Sequence, residues 1–310
     1  MIYSFLIAII ADYLIGAPQS WPHPVRLVGR IASFIDKSFS KRTFIQGLLG
    51  LFMVLFTCFL PVLILDNLLN RWPILSIVGR AYLIYSSFAL GDLIKHGKDV
   101  QKAVEADDIP TARKRLSYLV SRDTEAMNED KIITSTVESL SENFLDSVLS
   151  PLLFLLFFGP LGAWFFRIVN TLDAMWGYKK EGYYRYGTCA ARLDDMLNII
   201  PSRIAIMIIL PVGLLLGGSY SHIIEVYRRD KGKHDSPNSG YTESLASGIL
   251  NISLGGPTPY FGRMEDKPVI GTGKADKSHI KRMINLLKGS ALFFYVVILL
   301  LLVIKGVILS

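Results

Sequence analysis

The stretch IQGLLGLFMVLFTCFLPVLIL, residues 45–65, contains no charged side chain and decides the fold class. Its length matches the roughly 20 residues that an α-helix needs to cross a bilayer. Further predominantly apolar runs lie at residues 74–90, 148–169, 199–216 and 291–308. Because 51% of the 310 residues are hydrophobic and only 19% are charged, the sequence predicts an all-α, polytopic integral membrane protein.

Two features leave the number of complete spans open at five or six. Residues 2–15 form a shorter apolar run that Asp12 interrupts, so this run is either a short span or an interfacial helix. It has no preceding basic stretch and no small-residue cleavage site, which argues against a removed signal peptide. Run 148–169 contains Gly159-Pro-Leu-Gly162, and run 199–216 contains Pro201, Pro211 and Gly213, so each is predicted to be broken or re-entrant.

The net charge is +7, and most of the 33 Lys and Arg residues lie in loops at about 17–45, 95–146 and 217–289, which hold 5, 8 and 11 of them. The charges are spread over several loops, which argues against a nucleic-acid partner, and the positive-inside rule places these loops in the cytoplasm. We therefore expect one membrane domain over residues 1–310, with cytoplasmic insertions at about 95–146 and 217–289. The first insertion is predicted to form two amphipathic helices separated at Ile109-Pro110, and the second an ordered or flexible binding loop.

A row of acidic residues precedes the run at 148–169. Glu138, Glu142 and Asp146 recur every four positions and would share one face of a helix. Carboxylates stacked beside an apolar segment need a compensating cation, and hard oxygen ligands suit Mg²⁺ held together with phosphates. The alternatives are a solvated helix face or pairing with neighbouring arginines.

Two motifs repeat this combination of polar groups further along the chain. Asn143-Phe-Leu-Asp146 is echoed by Asn170-Thr-Leu-Asp173, and each offers an amide carbonyl and a carboxylate to one ion. Arg192-Leu-Asp194-Asp195 places a guanidinium beside two carboxylates just before run 199–216. The alternative for this last motif is an interfacial anchor that pairs with itself.

The polar segment at residues 231–243 includes Lys233, His234, Ser236 and Asn238. Its cations, hydroxyls and backbone amides suit the binding of phosphate or carboxylate, although a simple polar turn has the same composition. His23 lies in a proline-rich turn that serves either architecture or chemistry. No Walker, nucleophile-elbow, zinc-helix or dinucleotide motif is present in the sequence, so hydride transfer and zinc hydrolysis are disfavoured.

Taken in order, these blocks resemble the membrane-bound adenosylcobinamide-phosphate synthase (cobinamide synthase) family of cobalamin biosynthesis. The resemblance covers nearly the whole chain, through blocks at residues 12–30, 112–123, 136–146, 170–178, 191–195, 200–203, 236–240 and 254–256. Their number and order make the match specific. The departures are mild: Ala17 stands where an acidic residue is usual, and Ser141 where Ala is expected.

This family resemblance implies an amide-forming, ATP-dependent synthase. Such an enzyme joins an aminoalcohol phosphate, either aminopropanol or ethanolamine phosphate, to the free propionate of adenosylcobyric acid. The corrinoid is its substrate, ATP its co-substrate and Mg²⁺ its cofactor. The implied metal ligands are Glu138, Glu142, Asp146 and Asp173, with Asn143 and Asn170 orienting the ligands. Acid–base roles fall to Asp194, Asp195 and His234, and substrate binding falls to Arg192, Lys233, Ser236, Asn238, Arg122 and His23.

The resemblance also implies a multi-pass protein of the cell membrane whose active loops face the cytoplasm. Loop 171–198 must then lie on the nucleotide side, so we expect that runs 148–169 and 199–216 do not both cross the bilayer. The expected partners are the two substrates and the lipid bilayer, and other membrane enzymes of cobamide assembly are further candidates. A membrane transporter and a Mg²⁺-dependent membrane prenyltransferase are the alternative functions.

Overall fold

The chain is almost entirely helical in the computed structural model, which describes residues 1–16, 23–177, 183–260 and 263–308. The elements are α1 (Ile2–Ile15), α2 (Pro24–Lys37), α3 (Phe44–Leu69), α4 (Pro73–Ser87), α5 (Leu90–Glu105), α6 (Ile109–Leu116), α7 (Glu129–Phe144), a π-helical turn (Leu145–Leu149), α8 (Ser150–Trp176), α9 (Thr188–Leu215), α10 (Tyr220–Asp230), α11 (Ser239–Leu250), β1 (Leu254–Tyr260), β2 (Arg263–Ile270) and α12 (Ser278–Ile308). Ala17, Pro18, Trp21, Pro22 and Tyr178, which belong to the family-like blocks, lie outside the described residues.

In the part of the chain that the structure describes, five helical stretches are long and apolar enough to cross a membrane. They are Phe44–Leu69, Pro73–Glu105, Glu129–Trp176, Thr188–Leu215 and Ser278–Ile308, and each contains one of the five apolar runs seen in the sequence. Large apolar side chains such as Phe56 and Val307 are exposed on these helices, which is the arrangement expected of a surface that faces lipid. The prediction of an all-α polytopic membrane protein is confirmed, and α1 is a shorter apolar helix.

The predicted helix breaks have different outcomes. In α8, Gly159 has φ 70° and ψ −167°, so the helix is broken there. Glycine adopts this left-handed conformation because it has no Cβ. In α9 the helix continues through Pro201 and Pro211, so the break predicted there is wrong. Each proline removes only its own backbone hydrogen bond, and the neighbouring turns keep theirs.

The described chain forms two compact units that are discontinuous in sequence. The first unit contains Met1–Gly91, Asp146–Asn198 and Ile298–Ser310, and the second contains Asp92–Leu145 and Ile199–Val297. The predicted single membrane domain with two insertions stays a prediction. Most of both insertions belongs to the second unit.

In the first unit, helices α2, α3 and α8 pack around a buried apolar core. Trp164, Trp176 and Tyr186 are its largest side chains, and each is at most 2% exposed. Gly47 of α3 allows a close approach, because a Cβ at this position would lie 2.0 Å from the backbone oxygen of Tyr186. The segment after α8 is therefore held directly against α3.

The polar side chain that interrupts the first apolar run has a structural contact in the same unit. Asp12 is only 4% exposed, and its Oδ2 accepts a hydrogen bond of 2.9 Å from the backbone N–H of Gly91. Gly91 lies in the first turn of α5, where backbone N–H groups have no partner within the helix. Asp12 thus caps the start of α5.

In the second unit, α7 and α11 pack together, and a hairpin of β1 and β2 packs on them. The sequence did not predict this hairpin. Its first strand has an irregularity between Leu254 and Gly256, where Gly255 and Gly256 have φ of 82° and 71°. These left-handed conformations favour glycine and turn the strand toward α7.

The two amphipathic helices predicted in the first insertion are α5 and α6, and the insertion also contains α7. Val100, Val104, Ala112 and Leu116 are buried on them, which agrees with the amphipathic pattern. The helices separate before Ile109-Pro110 rather than at it: Asp108 caps α6 by accepting from the N–H of Thr111 at 3.0 Å. Proline is favoured in a first turn because its missing N–H would have no helical partner there.

The regular four-residue spacing of the acidic row ends before its last member. Glu138 and Glu142 lie on α7, whereas Asp146 lies in the π-helical turn and belongs to the other unit. A π-helical turn contains more residues than an α-helical one, so it changes the direction of the side chains that follow. The shared face predicted for all three carboxylates therefore holds for the first two only.

Candidate functional site

The predicted site residues lie in both units, and each unit contains a polar cluster. We call the cluster of the first unit the Asp146 cluster; it consists of Asp146, Ser150, Arg167, Asn170, Asp194 and Asn198. We call the cluster of the second unit the Glu138 cluster; it consists of Arg122, Glu138, Glu142, His234, Ser239 and Glu243.

The Asp146 cluster is organised by one buried amide. The Nδ2 of Asn198 donates to Oδ1 of Asp146 at 3.1 Å and to Oδ2 of Asp194 at 2.8 Å. Its Oδ1 accepts from the hydroxyl of Ser150 at 2.5 Å. Asn198 is 2% exposed and Asp194 is 6% exposed. Two carboxylates are thus held on the same amide group in surroundings that exclude most water.

Arg167 supplies positive charge to the same cluster. It attracts Asp146, and its Nη1 donates to Oδ1 of Asn170 at 3.4 Å. Asn170 in turn donates to Oδ1 of Asp194 at 3.2 Å. Opposite charges buried together stabilise each other more than they would in water.

Sequence reasoning missed Ser150, Arg167 and Asn198, although signals for two of them were present. Arg167 is a charged residue inside an apolar run, which by itself marks a candidate functional position. Asn198 follows Asp194 by four residues on one helix, so the two share a face. Ser150 had no such signal.

The other predicted residues of the first unit lie on α8, on α9 and just before α2. Asp173 is half-buried near the end of α8, and a Cβ on Gly177 would lie 2.0 Å from its Oδ1. Arg192 is exposed on α9, and Asp195 is half-buried. His23 precedes the first residue of α2, and its ring meets that of Tyr85 edge-on at 6.3 Å.

In the Glu138 cluster, Glu138 forms a buried ion pair with Arg122. Arg122 Nη2 lies 2.5 Å from Oε2 of Glu138, and Oε1 accepts from the N–H of Gly255 at 2.7 Å. Arg122 also donates to Ser135 at 2.9 Å and to Tyr260 at 3.0 Å. Burial is the largest single influence and lowers the pKa of Arg122, but the charges and hydrogen bonds of Glu138 and Tyr260 together raise it overall. These contacts join α7 to the hairpin.

Glu142 and Asn143 have fewer external contacts. Oε1 of Glu142 accepts from the hydroxyl of Ser239 at 3.2 Å, which links α7 to the start of α11. Asn143 instead donates to the backbone oxygen of Ser139 at 2.8 Å, one turn earlier on its own helix. Both side chains are half-buried.

His234 and Glu243 face each other inside the second unit. His234 Nε2 lies 3.7 Å from Oε1 of Glu243, while its Nδ1 accepts from the N–H of Ser236 at 2.9 Å. A neutral imidazole in this position carries its proton on Nε2. Burial lowers the pKa of His234. Burial, with the negative charges of Glu138 and Glu142, raises the pKa of Glu243 well above its usual value.

The predicted substrate-binding residues of segment 231–243 make contacts within the second unit. Lys233 Nζ lies 2.7 Å from Oδ1 of the buried Asp230. The Oγ of Ser236 accepts from the N–H groups of Asn238 and Ser239 at 3.3 and 3.4 Å, so it caps α11. Asn238 Oδ1 accepts from Arg203 at 2.9 Å. The segment is therefore held in place both by hydrogen bonds within it and by contacts with Asp230 and Arg203.

Only part of the predicted metal-ligand set fits Mg²⁺. In the described parts of the chain, no group of three or more His, Cys, Asp or Glu side chains could hold a metal ion by itself. Mg²⁺ is often bound by one or two carboxylates together with substrate phosphates. Asp146 and Asp194 fit that requirement, since one amide holds both of them. Glu138 does not, because its oxygens already accept from Arg122 and Gly255.

Comparisons with known proteins agree on one family. The family model described as CobD/Cbib protein matches residues 5–287. The chain is 36% identical over 280 residues to a "Cobalamin biosynthesis protein CobD" of Leptospira interrogans, covering 89% of each chain. It is 37% identical over 274 residues to the protein of the same name from Clostridium perfringens, covering 87% of each. It is 33% identical over 301 residues to "Cobalamin biosynthesis protein CbiB" of Salmonella arizonae, covering 94% of each. No solved structure matches the chain.

Proposed function

The chain belongs to the CobD/CbiB protein family, and from this premise we propose the reaction that it catalyses within cobalamin biosynthesis. The family resemblance found in the sequence is thereby confirmed. The reaction proposed here is the one that this resemblance implies. The protein joins an aminoalcohol phosphate to the free propionate carboxylate of adenosylcobyric acid, and the product is an amide.

The reaction requires activation of the carboxylate, because a carboxylate is a poor electrophile. In the first proposed step, a propionate oxygen attacks the γ-phosphorus of ATP, giving an acyl phosphate and ADP. The amine of the aminoalcohol phosphate, having lost a proton to a base, then attacks the acyl carbon. The C–O bond to phosphate breaks, and inorganic phosphate leaves. Each step brings anions together, so the site must offset their repulsion.

The observation that carries this proposal is the Asp146 cluster. Asp146 and Asp194 are held by a single amide, and the positive charge of Arg167 is directed at Asp146. When bound to Asp146 and Asp194, Mg²⁺ would supply charge compensation for the phosphates of ATP. Asn170 orients Asp194 through its hydrogen bond. The protein groups thus supply the fixed charges that the proposed chemistry needs.

Base and substrate-binding roles follow from position. Asp195 neighbours Asp194 on α9 and is half-buried, so we assign the ammonium proton to Asp195 and metal binding to Asp194. Arg192 is exposed one turn earlier on the same helix and binds a phosphate of the substrates. Asp173 and Glu142 are kept as proposed metal ligands, and Asn143 as a residue that orients the ligands. The proposed acid–base residue of the second unit is His234. The proposed substrate-binding residues are Lys233, Ser236, Asn238, Arg122 and His23. The contacts of these residues described above are with protein groups.

The reaction is tested by incubating the purified protein with adenosylcobyric acid, an aminoalcohol phosphate and Mg-ATP. Mass analysis should detect the amide together with ADP. Aminopropanol phosphate and ethanolamine phosphate are compared side by side, which identifies the preferred amine. The proposal would be refuted if protein that unfolds cooperatively formed an amide with neither amine.

The Asp146 cluster is tested separately with Asp146→Asn and Asp194→Asn. Loss of an electrostatic contribution to a transition state costs on the order of 10²-fold or more in rate, so both variants should be at least that much slower. Asp130→Asn is the matched control, because Asp130 is exposed on α7. If the two cluster variants turn over as fast as this control, the cluster is not the site.

The proposed site also requires the loop between α8 and α9 to face the cytoplasm, in a cell-membrane protein. Tyr184 of this loop is 70% exposed. In a variant with Cys58 and Cys189 replaced by Ser, a cysteine introduced by Tyr184→Cys should react with a membrane-impermeant maleimide only after the cells are opened. Labelling from outside intact cells would contradict the proposed orientation.

A further inference from the structure

An open groove of about 670 Å³ runs along α2 in the first unit. Its lining residues are Val25, Arg26, Gly29, Arg30, Ser33, Phe34, Lys37 and Met175. The volume lies in the range of ordinary small-molecule sites. None of these residues belongs to the Asp146 or the Glu138 cluster.

The groove carries a stripe of positive charge. Arg26, Arg30 and Lys37 are separated by four and seven residues on one helix, so they lie along the same face. The acidic residue of α2, Asp36, does not offset this stripe, because it is 6% exposed and pairs with Arg42 at 3.1 Å. Among the residues that the structure describes, none with a carboxylate lines the groove. Like charges at this spacing repel, and an anion between them removes the repulsion.

Large apolar side chains stand beside these cations. Phe34, which lines the groove, is 75% exposed, and Leu27 is 57% exposed. A helix with basic residues next to exposed apolar ones is typical of the water–lipid interface, where the apolar groups enter the acyl boundary. A small soluble anion would satisfy the charges of the groove but would leave Phe34 in water.

We propose that the groove along α2 binds the phosphate headgroup of an anionic phospholipid, with Arg30 and Lys37 contacting the phosphate and Phe34 in the acyl region. Ser33 lies between the two cations and can donate its hydroxyl to a phosphate oxygen. This lipid site is separate from the proposed amide-forming reaction and does not depend on it.

The full-length protein in dodecyl maltoside micelles is titrated with dioleoyl-phosphatidylglycerol or dioleoyl-phosphatidylcholine, and bound lipids are counted by native mass spectrometry. We expect the anionic lipid to bind at least about tenfold more tightly, since each cation near an anionic lipid headgroup strengthens binding severalfold. Equal binding of the two lipids would overturn the proposal. So would displacement of the anionic lipid by inorganic phosphate at millimolar concentration, because the groove would then be a site for soluble phosphate.

The variant Arg30→Gln/Lys37→Gln should bind the anionic lipid roughly tenfold more weakly while keeping its unfolding temperature. Its matched control is Arg71→Gln/Arg185→Gln, which removes the same net charge at exposed positions of the first unit outside the groove. If both double variants lose affinity equally, the effect is general electrostatics and the groove is not the site. Should the first variant not fold, Lys37→Gln alone is expected to weaken binding about threefold relative to Arg71→Gln, and equal affinities would again overturn the proposal.

Discussion

Arg122 and Glu138 form an ion pair whose side chains are only 4% and 2% exposed, with 2.5 Å between Nη2 and Oε2. The other carboxylate oxygen of Glu138 accepts from the backbone of the hairpin, 117 residues along the chain. Glu138 therefore joins α7, the segment before it and the hairpin. A carboxylate used in this way is a structural contact of the second unit.

Removing one partner of this ion pair should lower the stability of the protein much more than removing both. Arg122→Met leaves a buried carboxylate without its counter-charge, which typically costs about 3–5 kcal/mol. The double variant Arg122→Met/Glu138→Leu should recover much of that loss, because no buried charge remains. The stability of both variants is measured by thermal unfolding in detergent, with tryptophan fluorescence as the signal. A double variant that is less stable than Arg122→Met would contradict this interpretation.

Asn198 should be needed for the Asp146 cluster to hold together. Asn198→Leu keeps the approximate volume but removes the donor shared by Asp146 and Asp194, leaving both carboxylates short of a hydrogen bond. An unsatisfied buried polar group costs about 1–3 kcal/mol, so the unfolding temperature should fall by several degrees. The control is Asn67→Leu on α3, because Asn67 is exposed. Equal effects of the two substitutions would show that the shared amide is not important.

Glu243 should make the stability of the protein depend on pH. Its pKa is raised in the folded state, first by burial and then by Glu138 and Glu142. Below the usual carboxyl value of about 4.5, the side chain is protonated in both the folded and the unfolded state, so it contributes nothing to the pH dependence. Above it, the unfolded chain releases a proton that the folded protein retains, which favours unfolding until the folded pKa is passed.

Glu243→Gln should therefore be more stable than the native protein at about pH 8, and this advantage should vanish at about pH 4.5. Unfolding temperatures of both proteins across this range provide the measurement. Glu125→Gln makes the same chemical change at an exposed position and is the control. An advantage of Glu243→Gln that stays constant with pH would contradict the raised pKa.

Gly47 should tolerate no side chain. In Gly47→Ala the new Cβ would lie 2.0 Å from the backbone oxygen of Tyr186, so α3 or the segment after α8 must move. Such overpacking costs about 1–3 kcal/mol. Gly306→Ala is the matched control, since it also lies in a helix of the first unit and its Cβ would meet nothing within 4 Å. We expect a lower unfolding temperature for Gly47→Ala alone, and equal temperatures would refute the close contact.

Much of the fold could be predicted because it depends on local sequence. The five helical stretches long enough to cross a membrane follow from apolar runs of sufficient length, the break in α8 from Gly159-Pro160, and helices α5 and α6 from apolar positions at helical spacing. The hairpin was not predicted. Its first strand, Leu254–Tyr260, contains Gly255, Gly256, Pro257 and Pro259, residues that usually indicate a loop. It forms a strand because it pairs with β2 and because Glu138 accepts from its backbone.

The sequence predicted several residues of the candidate site but not how their side chains are arranged. The motifs named Asp146, Asn170 and Asp194, and the structure places them in one cluster. They did not name Asn198, which holds two of the three together. Glu138 and Asp146 have the same spacing pattern in the sequence, yet Glu138 is in an ion pair with Arg122 and Asp146 lies in a π-helical turn. Side-chain partners far along the chain decide such differences.

By itself, the sequence determined that this is a helical membrane protein of the CobD/CbiB family with acidic and amide groups beside its apolar helices. Hydrophobicity and helical periodicity act over neighbouring residues, so one chain segment contains all the information needed. Only the tertiary structure decided which carboxylates are neutralised by arginine, which share an amide and which retain a proton. Those outcomes depend on burial and on charges from distant segments, because the energy of a charge is set by everything that surrounds it in space.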